Sequence, residues 1–179
     1  SILMKGISLD EEGNKKFRLK EVFVGYFENG EKVVQYIPPQ SADILFSMQE
    51  VLALINDPEV FGDASNIFVQ PAIVHALIAI IQPFDDGNTR TSRLINYALL
   101  LSHTNELYQK SFKLPIVYLS RSYSGFREQY RDLIAKIAQD PSNENWNEWI
   151  YFNLFMIQNY FEYVEKVIYD NQLLDTKVK

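Results

Sequence analysis

The chain has 179 residues, 47% of them apolar and 14% aromatic, with 17 basic against 23 acidic side chains and a formal charge of −6. That is ample apolar material for one globular domain and excludes a disordered chain. An acidic balance without a Lys/Arg run argues against general binding to nucleic acid or to an anionic membrane. The lack of cysteine removes disulfides, thiolate metal sites and a cysteine nucleophile. With no signal-peptide pattern, and an apolar run near 76–81 too short to cross a bilayer, the expectation is a soluble, cytoplasmic protein.

Residues 1–16 read as an N-terminal extension, 17–169 as a single domain and 170–179 as a frayed tail. Val22 to Glu28 and Glu31 to Ile37 are rich in β-branched and aromatic residues and flank Asn29-Gly30, the strongest short hairpin signal, since both turn positions need positive φ. Pro38-Pro39 ends the second strand. Ser41 is the expected N-cap of a helix that runs to about Asn56-Asp57-Pro58, with Ile44, Leu45, Met48, Val51, Leu52 and Ile55 on one face. A loop around Gly62 follows. Pro71 suits the first turn of the next helix. That helix, Ala72 to Ile81, is apolar nearly all round apart from His75, which places it in the centre of a bundle.

Pro83 stops this helix, and Asp85-Asp86-Gly87-Asn88 is turn chemistry. A second apolar helix is expected from Thr89 to Ser102. Phe126, Tyr130, Leu133, Ile134 and Ile137 mark a third. Trp146, Ile150, Leu154, Ile157, Phe161 and Val164 mark a long last one, whose aromatic face reads as core before subunit contact. The fold class is mostly α, one helical domain with a β-hairpin.

Chemistry concentrates in Gln82 to Arg93, a charged turn between two buried helices. A helix start offers unpaired N–H groups and the positive end of a dipole, which together favour an anion. Gly87 allows close approach of backbone to ligand. Arg90 and Arg93, three residues apart, can fork onto phosphate oxygens, and Asp86 supplies a hard carboxylate for Mg²⁺. The plainer alternative is a capped helix whose arginines pair with Asp85 and Asp86; short motifs often match by chance.

Phe84, Asp86, Gly87, Asn88, Arg90 and Arg93 match the signature of the Fic (filamentation induced by cAMP) family, H-x-F-x-[DE]-G-N-G-R-x-x-R. Tyr36-Ile37-Pro38-Pro39, following the hairpin, is similar to a Tyr-x-Pro-Pro-like segment of that family. His75 resembles a histidine often found in the helix before the motif, and the likeness runs from about Phe17 to Phe155. The resemblance implies a Fic-type helical bundle with a β-hairpin flap. It also implies transfer of AMP from ATP to a hydroxyl of a target protein, with release of pyrophosphate. Asp86 would then hold Mg²⁺. Gly87, Asn88 and the backbone at Thr89 would form the anion hole, with Arg90 and Arg93 on the phosphates. The flap, Val22 to Ile37, would hold the target segment in extended form. An inhibitor protein or a homo-oligomer is a further candidate partner.

Two positions depart from the signature. Gln82 stands where the family's general base, a histidine, belongs; a carboxamide hydrogen-bonds but cannot take a proton at neutral pH. Thr89 stands where most members have glycine, which narrows the approach to the phosphates; the Doc branch, a kinase, carries lysine there. The expectation is therefore weak or absent transfer. The alternatives are a non-catalytic interaction module and transfer of another phosphate-containing group. No replacement base is evident: His75 reads as a core residue and His103 as capping or surface. Asp85 is expected to point away from Asp86. Ser8 to Gly13 fits the family's inhibitory pattern [ST]-x-x-x-E-[GN], but it lacks helical periodicity and lies close to the hairpin, so a solvated acidic turn is the plainer expectation.

Overall fold

The computed structural model describes residues 17–57, 67–108 and 119–177. The extension 1–16, with the inhibitory-type pattern Ser8 to Gly13, and the loop around Gly62 lie outside the described residues. The order is a hairpin of β1 (Val24–Glu28) and β2 (Glu31–Tyr36), a 3₁₀ turn at Ser41–Asp43, then helices α1 (Ile44–Ile55), α2 (Val69–Ile81), α3 (Asn88–Tyr108), α4 (Ser120–Gly125), α5 (Arg127–Gln139) and α6 (Asn143–Lys177). A mostly-α bundle with a β-hairpin is the fold the sequence leads one to expect. Among the described residues, no helix is long and apolar enough to cross a membrane.

The hairpin turns where the sequence says it should, with Asn29 at φ 53° and Gly30 at φ 85°. Its antiparallel register carries an irregularity between Val24 and Gly25. There a Cβ on residue 25 would come within 2.0 Å of the Val33 carbonyl oxygen, so only glycine fits. The hairpin is fixed through β2: the buried Tyr36 hydroxyl donates to Ala79 O at 3.0 Å, Gln35 Nε2 donates to Asp132 Oδ1 at 3.3 Å, and Gln139 Nε2 donates to Gln35 O. Among the described residues β1 has no partner strand other than β2.

α2 is the axis of the bundle. One of its faces packs with Tyr36, Tyr123, Leu133, Ile134, Trp149 and Met156, and the other with Ile44 and Val51 of α1. Because neighbours surround it, its apolar residues need no preferred face. Trp149 Nε1 donates to Ala72 O at 2.7 Å, which ties α6 to α2 through a buried bond.

Four expectations change. Ser41 does not cap α1; its backbone N–H and hydroxyl both donate to Glu21 Oε1 at 3.0 Å, and the chain makes a 3₁₀ turn before α1 begins. The carboxylate of a neighbouring segment has outcompeted the local cap. Leu45 and Leu52 are 59% and 55% exposed despite their helical spacing, because only the stripe through Ile44 and Val51 faces α2. The last helix runs unbroken through Asp170 to Lys177 rather than fraying there. Its aromatic face is core only in part: Trp149, Phe152 and Ile157 are buried, whereas Leu154 and Phe161 are exposed. α4, too short and polar to show a period, had no sequence signal.

Candidate functional site

α2 ends at Gln82, whose backbone adopts φ 50°, ψ 57°, a left-handed conformation that glutamine seldom takes. Two things hold it there. Pro83 forbids the helix to continue, and Arg18 reaches across from the start of the domain. The Arg18 guanidinium, 1% exposed, donates from Nε to Gln82 O at 2.8 Å, from Nη1 to Lys20 O at 2.9 Å, and from Nη2 to Pro39 O at 2.5 Å and Ile81 O at 3.4 Å. Its backbone N–H donates to Pro83 O at 2.9 Å. One cation thus satisfies carbonyls at the end of α2 that would otherwise be orphaned. Nothing in the sequence singled it out.

The turn that follows is tied by Asn88. Its Oδ1 accepts from Phe84 N at 2.8 Å, and its Nδ2 donates to Phe84 O at 2.7 Å and to Gln82 Oε1 at 2.9 Å. The Asn88 side chain therefore builds the turn, and its backbone opens α3. Gln82 Nε2 donates to Ala79 O at 2.6 Å, so both ends of the Gln82 carboxamide are engaged, bridging the end of α2 to the start of α3. Gly87, at φ 85°, receives Thr91 N on its carbonyl at 2.9 Å and donates its own N–H to Asp86 Oδ1 at 2.6 Å.

A cleft of about 200 Å³ opens over this turn, lined by Gln82, Asp85, Asp86, Gly87, Asn88, Thr89 and Arg90. Arg90 Nη2 lies 3.0 Å from Asp86 Oδ2 in an exposed pair, the half of the plainer reading that is realised. Asp85 lines the cleft together with Asp86. Asp85 has no hydrogen-bond or ion-pair partner among the described residues. Among them there is no cluster of three potential metal ligands. One or two carboxylates nevertheless suit Mg²⁺, which keeps waters and takes its other oxygens from phosphates.

Arg93 is not in this cleft. Its Nε donates to Thr89 O at 3.2 Å, and it lines a neighbouring cleft of about 290 Å³ with Thr89, Arg127, Arg131 and the rings of Tyr123 and Tyr130. The two motif arginines therefore serve adjacent clefts that share Thr89, where the sequence suggested one fork. Arg127 and Arg131 belong to no motif, and the apolar period of α5 alone does not point to them.

The histidines stand apart from both clefts. His75 is fully buried among Tyr123, Tyr130 and Trp149, with ring centroids 5.4, 5.6 and 5.5 Å away. Its Nε2 lies 3.0 Å from the Tyr130 hydroxyl. Burial, with a smaller contribution from the Arg93 charge, holds its pKa down at about 3. His75 is thus neutral in the fold, while the unfolded chain takes up a proton below the ordinary histidine value of 6.5. Its contribution to stability is complete above that value and is lost as pH falls toward 3. Urea denaturation at pH 7 and pH 5 is expected to show a loss of about 2 kcal/mol that His75→Phe does not show. His103 Nε2 lies 2.5 Å from Gln70 Oε1, joining α3 to α2 where capping or a surface position was expected.

The order of elements, the hairpin upstream of a central helix, and the acidic, glycine-centred turn opening α3 agree with an independent match. The Fic/DOC family model covers residues 2–100, a stretch that includes both the hairpin and the whole turn. The chain belongs to the Fic/DOC family.

Proposed function

We propose that this protein binds Mg-ATP as a protein adenylyltransferase of the Fic type, with transfer weak or absent because Gln82 stands at the place of the base. The observation that carries the reading is the cleft at the start of α3. It combines a glycine-bounded backbone, Arg90 and the carboxylates of Asp85 and Asp86, the mixture of donors and hard acids that a metal-bound polyphosphate needs. Asp86, with Asp85 beside it, would hold Mg²⁺, which when bound neutralises the phosphates. Gly87, Asn88 and Thr89 present backbone at the anion, and Arg90 exchanges its Asp86 contact for phosphate oxygen. Arg93 completes the set from the adjoining cleft.

AMP transfer requires an acceptor hydroxyl oxygen to bond to the α-phosphorus as the bond to pyrophosphate breaks, with the hydroxyl proton passing to a base. Gln82 cannot receive it. Its carboxamide holds the turn together through Ala79 and Asn88, which favours a nucleotide-binding protein whose geometry persists without efficient chemistry. The target segment would lie along β1, whose outer edge is free of strand partners among the described residues and can extend the sheet. Mass spectrometry of protein incubated with Mg-ATP after the change Gln82→His tests the reaction class. An added AMP supports it. An added phosphate alone contradicts it and favours transfer of a different group.

A further inference from the structure

We propose that Arg127 and Arg131 of α5 join Arg93 to form a diphosphate site, which takes the two terminal phosphates of the nucleotide while the motif cleft takes the first. The ligand's identity rests on the reading above; the site itself does not. Four observations place it.

The first is charge. Three guanidiniums line this cleft, with no carboxylate among the described residues, in a chain whose net charge is −6. Glu128 and Asp132, each one residue beyond an arginine, line a different groove with Lys136 and Glu148. α5 thus sorts its charges by face, with Arg127 and Arg131 stacked one turn apart. The second is the lack of internal partners. Neither Arg127 nor Arg131 has a hydrogen bond or ion pair among the described residues, and Arg93 uses only Nε, toward Thr89 O. Like charges at this spacing repel, and an anion between them removes the conflict.

The third is the wall behind them. The Tyr123 hydroxyl donates to Asn153 Oδ1 at 2.5 Å, and the Tyr130 hydroxyl is engaged by His75. Burial raises the Tyr130 pKa to about 12, so the phenol brings no competing negative charge. The fourth is continuity. Thr89 lines both clefts, so a polyphosphate can pass from one to the other around the first turn of α3. At about 290 Å³ the space is at the small end of ligand clefts, scaled to phosphate groups rather than a whole nucleotide.

The test is calorimetric titration of the full chain with inorganic pyrophosphate, ATP and AMP, comparing the native protein with the double variants Arg127→Ala/Arg131→Ala and Arg127→Lys/Arg131→Lys. Both arginines are exposed, so neither change disturbs the core. The alanine pair is expected to weaken pyrophosphate and ATP by about 10- to 100-fold, since a charge-assisted contact is worth about ten-fold each. AMP should change less than about 3-fold, and the lysine pair should restore part of the loss, keeping charge without the fork. Pyrophosphate that fails to bind the native protein, or binds both proteins alike, overturns the proposal. So does an AMP loss as large as that of ATP. Pyrophosphate binding lost in the alanine pair, in a protein that binds neither nucleotide, would uphold the anion site and sink the adenylyltransferase reading instead.

Discussion

Gln82→His is expected to raise AMP transfer from Mg-ATP, to a target protein or to the chain itself, by about 10²–10⁴-fold, the usual worth of a positioned base. The site is arranged to accept the change. The backbone at residue 82 is left-handed, a region in which histidine is enriched relative to most residues. A ring nitrogen can receive Asn88 Nδ2, as the Gln82 carboxamide oxygen now does. The bond from Nε2 to Ala79 O is lost, at a cost of about 1 kcal/mol. Ala79 O is not orphaned, because the Tyr36 hydroxyl also donates to it. Radiolabelled transfer measured alongside ATP affinity checks this. A rate that stays flat while ATP still binds would show that more than the base is missing, with Thr89 the next position to change.

The second large effect concerns Arg18. Arg18→Leu is expected to cost about 3–5 kcal/mol in sum, since each buried carbonyl left without its donor costs about 1–3 kcal/mol. Here the stranded groups are the carbonyls of Lys20, Pro39, Ile81 and Gln82. Two of them belong to the last turn of α2, so the placement of Gln82 loosens with the loss. Arg18→Lys keeps a charge but not five donors in a fixed fork, and should fall between the two. Urea denaturation reads both, and a midpoint for Arg18→Leu within error of the native protein would contradict the pinning role.

The hairpin, the central helix and the turn were legible because their signals are local. Asn29-Gly30 needs only its own dihedral angles, and Pro83 stops α2 whatever surrounds it. A helix apolar on every side can only be buried, and α2 is. What was not legible depends on distant partners. Arg18 sits in an undistinguished stretch, and its role comes from carbonyls more than sixty positions away. Ser41 carries a sound local cap signal, but Glu21 captures it. Leu45 and Leu52 obey helical period, yet which part of an apolar stripe meets a neighbour is decided by how α1 lies on α2.

The site divides along the same line. The motif points to the turn that lines the first cleft, and spacing places Arg90 and Arg93 near each other on α3. Spacing could not show that a second helix approaches from the Arg93 side and divides the surface into two clefts. The neighbouring aspartates show the converse. Adjacent side chains diverge in regular structure, but in the turn before α3 both Asp85 and Asp86 line the cleft.

The central claim is that the turn opening α3 binds a metal-nucleotide, and the most direct measurement is calorimetric titration of the protein with Mg-ATP beside an Arg90→Ala control. The account predicts saturable binding by the native protein that weakens by at least about ten-fold in the control, as expected for loss of a charge-assisted phosphate contact. Binding that is absent in both, or equal in both, would contradict it. The Fic turn would then be scaffold in this chain, and function would rest with the protein partners of the flap.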